Sequence, residues 1–196
     1  MRVSRAEAAE NRERIIEVAA KLLRERGFDG IGVAELMKAA GLTHGGFYGN
    51  FASKEDLILR ACTRAMAGSV DTLQKAADRG GKHALSEVAS AYLSPAHRDR
   101  PGEGCVLAAL GAEAARHDSP LRGAFTQGVR SVVEILTRLL PEKSARAKRE
   151  RALAIYASMV GAIVLARAID DAKLSEEVLR SVLASIIHPN SSSPAC

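Results

Sequence analysis

The stretch VAELMKAAGLTHGGFYGNF, residues 33–51, decides the fold. Val33, Leu36, Met37 and Ala40 fall on one side of a 3.6-residue period, so 33–40 reads as a helix of two turns. Gly41 stops it, because a glycine turns the chain through φ > 0 without a Cβ clash. Thr43 opens a second short helix reaching about Asn50, its hydroxyl placed to accept the first free backbone N–H groups. Gly45, Gly46 and Gly49 each cost that helix roughly 1 kcal/mol of propensity against alanine, which points to a helix that orders fully on a partner. Leu36, Ala40, Leu42 and Phe47 lock the pair together, and the outward face carries Thr43, His44, Gly45, Gly46 and Tyr48. Two short helices joined at a glycine behind a longer one have the shape of a helix-turn-helix. Bare backbone approaches the floor of a major groove closely, and a helix N-terminus favours phosphate.

Working outward, Ile15, Ile16, Ala19, Leu22 and Leu23 form the apolar stripe of a first helix over about 6–26. Gly27 sits where a left-handed cap is wanted, with Phe28 able to pack back on the stripe. Ser53 caps a fourth helix, with Asp56 three residues on as a variant of the capping box. That helix ends at Gly80-Gly81, and a fifth spans 82–93. Residues 95–104 read as a loop, and a sixth helix spans 105–117. Pro120 opens a seventh to Leu140. An eighth runs over about 145–172, Ser175 caps a ninth, and a Ser/Pro-rich tail, 190–196, is expected to be disordered. The pattern is all-α, with no strand signal longer than four residues.

Composition agrees. The chain has 196 residues, 47% hydrophobic and 26% charged, with 4% aromatics and no Trp. That excludes disordered, collagenous and fibrous classes and favours helices. The longest apolar runs, such as 162–166, fall far short of the ~20 residues of a bilayer span. The charged N-terminus lacks an apolar signal region, and the three cysteines (62, 105 and 196) form no disulfide or metal pattern. A soluble cytoplasmic protein without membrane attachment, metal or cofactor is expected. Net charge is +5, yet residues 1–60 hold ten Lys/Arg against nine Asp/Glu, so bulk charge does not locate a nucleic-acid surface. No GxSxG, HExxH or CxxC is present. The alternative from another class is a small all-α enzyme with Cys105 as nucleophile, which leaves residues 33–51 unexplained.

Leu22-Leu23, Gly27-Phe28, Val33, Ala39-Ala40-Gly41-Leu42, Phe47-Tyr48, Phe51 and Ser53-Lys54-Glu55-Asp56-Leu57 together resemble the TetR/AcrR family of bacterial transcriptional regulators. The resemblance is strong over about 9–60; residues 61–196 match in helix count and length alone. It implies a nine-helix, homodimeric, DNA-binding regulator, usually with a small-molecule inducer. The implied organisation is an N-terminal arm (1–8), a DNA-binding domain (9–60, with the helix-turn-helix at about 32–51), an effector-binding and dimerisation domain (61–189) and the tail. It further implies Thr43, His44, Gly45 and Gly46 on bases or adjoining sugar-phosphate, and Tyr48 and Lys54 on phosphates of double-stranded operator DNA. Two departures stand out: Ile31-Gly32 replaces the usual hydroxyl cap of the second helix, and Gly49 replaces a larger polar residue.

Three expectations concern the remainder of the chain. Small residues (Ala154, Ala157, Ser158, Gly161, Ala162 and Ala168) interleave with Leu153, Val160, Val164 and Leu165, and suit a homodimer through about 145–188. The final helix adds Val178, Leu179, Val182, Leu183, Ile186 and Ile187. A pocket for a small hydrophobic or electrophilic effector is expected among Cys62, Met66, Tyr92, Leu110, Phe125, Val129, Tyr156, Met159 and Ile163. Cys105, at a helix start below Arg98 and Arg100, is a candidate sensor thiol, with a small buried thiol as the alternative.

Overall fold

The computed structural model describes residues 5–117 and 119–188, and is all-helical among them. The order is α1 (Arg5–Arg26), α2 (Val33–Ala39), a 3-10 turn (His44–Gly46), α3 (Lys54–Gly80), α4 (Ala84–Tyr92), α5 (Pro95–Asp99), α6 (Val106–Ala114), α7 (Ser119–Leu139), α8 (Ala145–Ala168) and α9 (Ala172–Ile187). α1 already includes residues 5–8 of the expected arm; residues 1–4 and the tail over 190–196 lie outside the described residues.

The chain divides into two compact units, Met1–Gly68 with Pro101–Thr126, and Ser69–Arg100 with Gln127–Cys196. An expected boundary at 60/61 follows chain order, whereas packing adds α6 and the start of α7 to the first unit. Its core joins Ile15, Ala19 and Leu23 of α1, Leu36 and Met37 of α2, Phe47, Phe51 and Leu57 to Val106, Leu110 and Ala114 of α6 and Phe125 of α7. The spacing 106, 110, 114 places one α6 face inward, and no local pattern marks which core that face completes.

The second unit is built on α8, whose Ala152, Ile155, Tyr156, Met159, Ala162, Ile163 and Ala166 are buried at helical spacing. By length and composition α8 alone among the described helices could cross a membrane. Arg146, Lys148, Arg149 and Arg151 crowd its first two turns, however, and one long face is buried against protein. α9 packs on α8 and on α4.

Several local expectations are corrected. The stretch 95–104 is ordered: Ser94 Oγ accepts the His97 N–H at 3.2 Å, Pro95 takes the first helical position, and α5 forms, followed by a 3-10 turn over Pro101–Glu103. α8 stops at Ala168 because Asp171 caps α9, its carboxylate accepting from the Lys173 and Leu174 N–H groups at 2.8 and 3.2 Å. Ser175 is therefore no cap. It is buried, donates to the Ala166 carbonyl at 2.7 Å and accepts from Arg98 at 3.1 Å. Arg167 donates to the carbonyls of His97 and Arg98 at 2.7 and 3.0 Å, so α5 is held against the end of α8. Burial lowers the His97 pKa, and its Nδ1 donates to the Tyr92 carbonyl at 2.6 Å.

Candidate nucleic-acid interface

The helix-turn-helix is fixed by two glycine-centred helix ends. At the close of α2, Gly41 takes φ +72°, its N–H donates to the Lys38 carbonyl at 3.0 Å, and the Leu42 N–H donates to the Met37 carbonyl at 2.8 Å. That is a Schellman arrangement, and it turns the chain into the reading segment. At its start α2 has Gly32 as cap, which offers no side chain to the first N–H groups of the helix.

The expected third helix over 43–50 is shorter in the structure. One 3-10 turn spans His44–Gly46 and turns follow to Asn50. Three glycines in six residues remove the propensity that a longer helix needs. Asn50 Nδ2 donates to the Gly46 carbonyl at 2.7 Å and holds the turn closed, a contact the sequence signals only as an amide four residues after a glycine. Thr43 stands at the cap position with no side-chain hydrogen bond, so its hydroxyl is not spent on capping.

Below the turn, Phe47 is fully buried and Phe51 nearly so, their rings 5.6 Å apart, with the Arg12 guanidinium 5.5 Å over Phe51. Above it, Thr43, His44 and Gly45 are exposed, and Tyr48 is 71% exposed, far more than a buried-core reading of a tyrosine allows. The His44 and Tyr48 rings meet edge-on at 6.5 Å. Gly46 is half-buried. Lys54 is half-buried in the first turn of α3, whose cap is reciprocal. Ser53 Oγ accepts the Asp56 N–H at 3.2 Å, and the Asp56 carboxylate accepts the Ala52 N–H at 3.3 Å. Glu55 is held below the usual carboxylate range by its own backbone N–H and by Ser53. The structure thus brings Thr43, His44, Gly45 and Tyr48 onto one open face over an aromatic anchor.

Residues 15–61 match the family model of bacterial regulatory proteins, tetR family. The repressor NemR of Escherichia coli K12 is 28% identical over 134 residues, 67% of each chain. The solved structure of reduced E. coli NemR has TM-score 0.75 at 25% identity, covering 90% of this chain and 96% of that one. Residues 15–61 thus carry a tetR-family helix-turn-helix, and the chain as a whole is similar to TetR/AcrR regulators. The regulator AcrR of Shigella flexneri is 39% identical over 57 residues, 29% of this chain and 26% of that one. An Agrobacterium tumefaciens TetR-family regulator, at 20% identity, covers 91% of this chain and 98% of its own with TM-score 0.76, and shares the fold. The matched segment makes this chain a DNA-binding regulator of the kind these relatives are.

The remaining expected site residues fall in both units. Cys62, Met66, Leu110 and Phe125 are buried in the core of the first; Tyr92, Tyr156, Met159 and Ile163 are buried in the second, and Val129 is half-buried there. A pocket of about 380 Å³ in the second unit is lined by 81–86, Arg138, Leu139 and Ile187, and by none of those residues. Cys105 is the N-cap of α6 and is 4% exposed. Arg24 donates to the neighbouring Gly104 carbonyl at 2.9 Å, and its guanidinium lies within the electrostatic reach of the Cys105 and Cys62 thiols. Burial pushes the Cys62 thiol up to about 12, against the pull of Arg24, so at neutral pH it stays protonated and a poor nucleophile.

Proposed function

We propose that this chain is a TetR/AcrR-family repressor that binds a palindromic operator as a homodimer and leaves it when a small hydrophobic or electrophilic effector binds. The observation that carries the reading is the open face of Thr43, His44, Gly45 and Tyr48 held over the buried Phe47 and Phe51. Two such heads on a two-fold axis meet successive major grooves about 34–36 Å apart or a multiple of it. Repression follows the similarity to NemR, a transcriptional repressor of Escherichia coli. The dimer forms through residues of about 145–188, supported by the exposed Leu153, Val164, Leu165 and Leu174. Its place of work is the cytoplasm, where the operator lies. Effector and DNA oppose each other through their different affinities for two arrangements of the heads.

The side chains divide the labour. His44→Ala is expected to change which operator bases are preferred, while Lys54→Ala weakens binding on every sequence and flattens the salt slope by about one. Binding to a panel of operator variants over a salt series checks this. Equal loss of discrimination from both substitutions would overturn it.

A second feature, Arg24 beside Cys105 and Gly104, favours an electrophile as the effector. In that reading the Cys105 sulfur, as thiolate, adds to the β-carbon of a quinone or enone. A C–S bond forms, the electron pair moves to the carbonyl oxygen, and a proton from water completes the adduct. The thiol is buried, so an adduct there must displace the start of α6. Cys105→Ser should bind operator normally and stay bound when benzoquinone is added, while the unmodified protein releases. Release by the serine variant would end the proposal.

A further inference from the structure

α6 is tied to α1 at both of its ends. Before its first turn, Arg24 Nη1 donates to the Gly104 carbonyl at 2.9 Å, and the Glu25 side chain lies where a Cβ on Gly102 would stand. At its last turn, Glu113 Oε2 accepts the backbone N–H of Phe28 at 2.7 Å, across 85 residues of sequence. Beyond that turn the His117 ring meets the Phe28 ring edge-on at 4.8 Å.

The Phe28 amide is a consequential place for such a contact. A helix that ends on a left-handed glycine often returns the next N–H to one of its own carbonyls. Here Gly27, at φ +79°, is that glycine, and its N–H does return to the Leu23 carbonyl at 2.8 Å. The following N–H goes to the Glu113 carboxylate instead. Glu113 Oε1 fills the space that a Cβ on Gly27 would need, with 2.9 Å between them, so carboxylate and glycine are fitted to each other.

From Phe28 only residues 29–32 lead to α2. Ile31 is buried in the core, Gly32 is the cap whose carbonyl accepts the Leu36 N–H at 3.0 Å, and Glu35 in the first turn of α2 pairs with Arg26 of α1. α2 in turn ends at Gly41 and delivers the His44–Gly46 turn. The direction in which the reading segment leaves α1 therefore starts from an amide that α6 holds.

We propose that Glu113 is a positioning residue for operator recognition: by holding the Phe28 amide it sets the direction of α2 and of the His44–Gly46 turn. The inference rests on the operator-binding reading above. An ionised acceptor suits the task, because a charge-assisted hydrogen bond is shorter and stronger than a neutral one. Glu113 makes no contact with DNA in this scheme, and its loss changes where Thr43, His44 and Tyr48 arrive.

The test uses the full-length protein, a duplex that the unmodified protein selects from a randomised pool, and a scrambled duplex of equal length. Glu113→Ala is expected to weaken binding to the selected duplex about tenfold while leaving the scrambled duplex and the salt slope unchanged. Glu113→Gln, which keeps an acceptor oxygen, should recover part of that loss and serves as the test if the alanine variant does not fold. Hydrogen exchange of the Phe28 amide should quicken in both variants. A purely structural role would lower the active fraction on both duplexes alike and leave their ratio intact. An unchanged ratio with a faster Phe28 amide overturns the inference, as does an amide that stays protected in the alanine variant. An unmodified protein that selects no duplex overturns the operator reading itself, and the inference with it.

Discussion

Leu165→Asp is expected to sediment as a monomer at micromolar concentration and to lose operator affinity by a factor of about 10²–10⁴. Leu165 is 56% exposed and shares the outer face of α8 with Leu153, Ala154, Ala157, Ser158, Val164 and Ala168, while the small Ala162 faces inward among the core residues. Among the described residues that face is left largely open, and in the proposed two-fold dimer each copy places it against its counterpart. A carboxylate there appears twice on the axis, desolvated and facing its own like charge, which costs several kcal/mol. Two linked heads bind as if each raised the local concentration of the other, and a lone head forfeits that advantage without losing a single contact of its own. Because Leu165 contributes little to the core, circular dichroism of the variant should match the parent. Sedimentation that still gives a dimer with the parental dissociation constant would place the interface elsewhere.

Phe47→Ala should cost about 3–5 kcal/mol and lower the melting temperature by roughly 6–20 °C, abolishing operator binding at the same time. Phe47 is fully buried and its ring meets Tyr48 at 5.1 Å and Phe51 at 5.6 Å, so truncation empties the centre of the anchor under the reading turn. With three glycines nearby, the turn has little intrinsic order to fall back on. Phe47→Leu keeps most of the volume and should retain most of the stability. Calorimetry alongside an operator titration separates the two effects. An alanine variant that melts with the parent would show that the anchor lies elsewhere.

Local chemistry was the part of this fold that could be read directly. The stripe on α1, the stops at Gly27 and Gly41, and the Ser53–Asp56 cap each follow from a handful of neighbouring residues, and each is present. Exposure of Tyr48 against burial of Phe47 was legible for the same reason, since adjacent residues on a tight turn cannot share a face. Competition between rules produced the misses. Ser175 follows Asp171 by one helical turn and both are good caps; the carboxylate won, and tertiary packing took the hydroxyl. Glycine content outweighed the Thr43 start signal and cut the expected third helix to one turn. Proline and charge made 95–104 look irregular, yet Ser94 and Pro95 are also a helix start. The Glu113 contact with Phe28 joins residues far apart in the chain, and periodicity carries no information at that range.

The first unit is assembled from two separate stretches of the chain, and this has a consequence for the order of events on the ribosome. Residues 1–68 emerge first, but the apolar surface formed by Leu23, Leu57 and Ala61 is completed by Leu110, Ala114 and Phe125. At synthesis rates of about 5–20 residues per second, roughly 4–14 s separate the exit of α3's start from that of Phe125. Through that interval the nascent head carries an open greasy flank, which is a natural landing place for a chaperone. The same arrangement means that a head cut out at residue 60 for grafting onto another regulator leaves its own wall behind, and a working hybrid must carry residues 101–126 along with it.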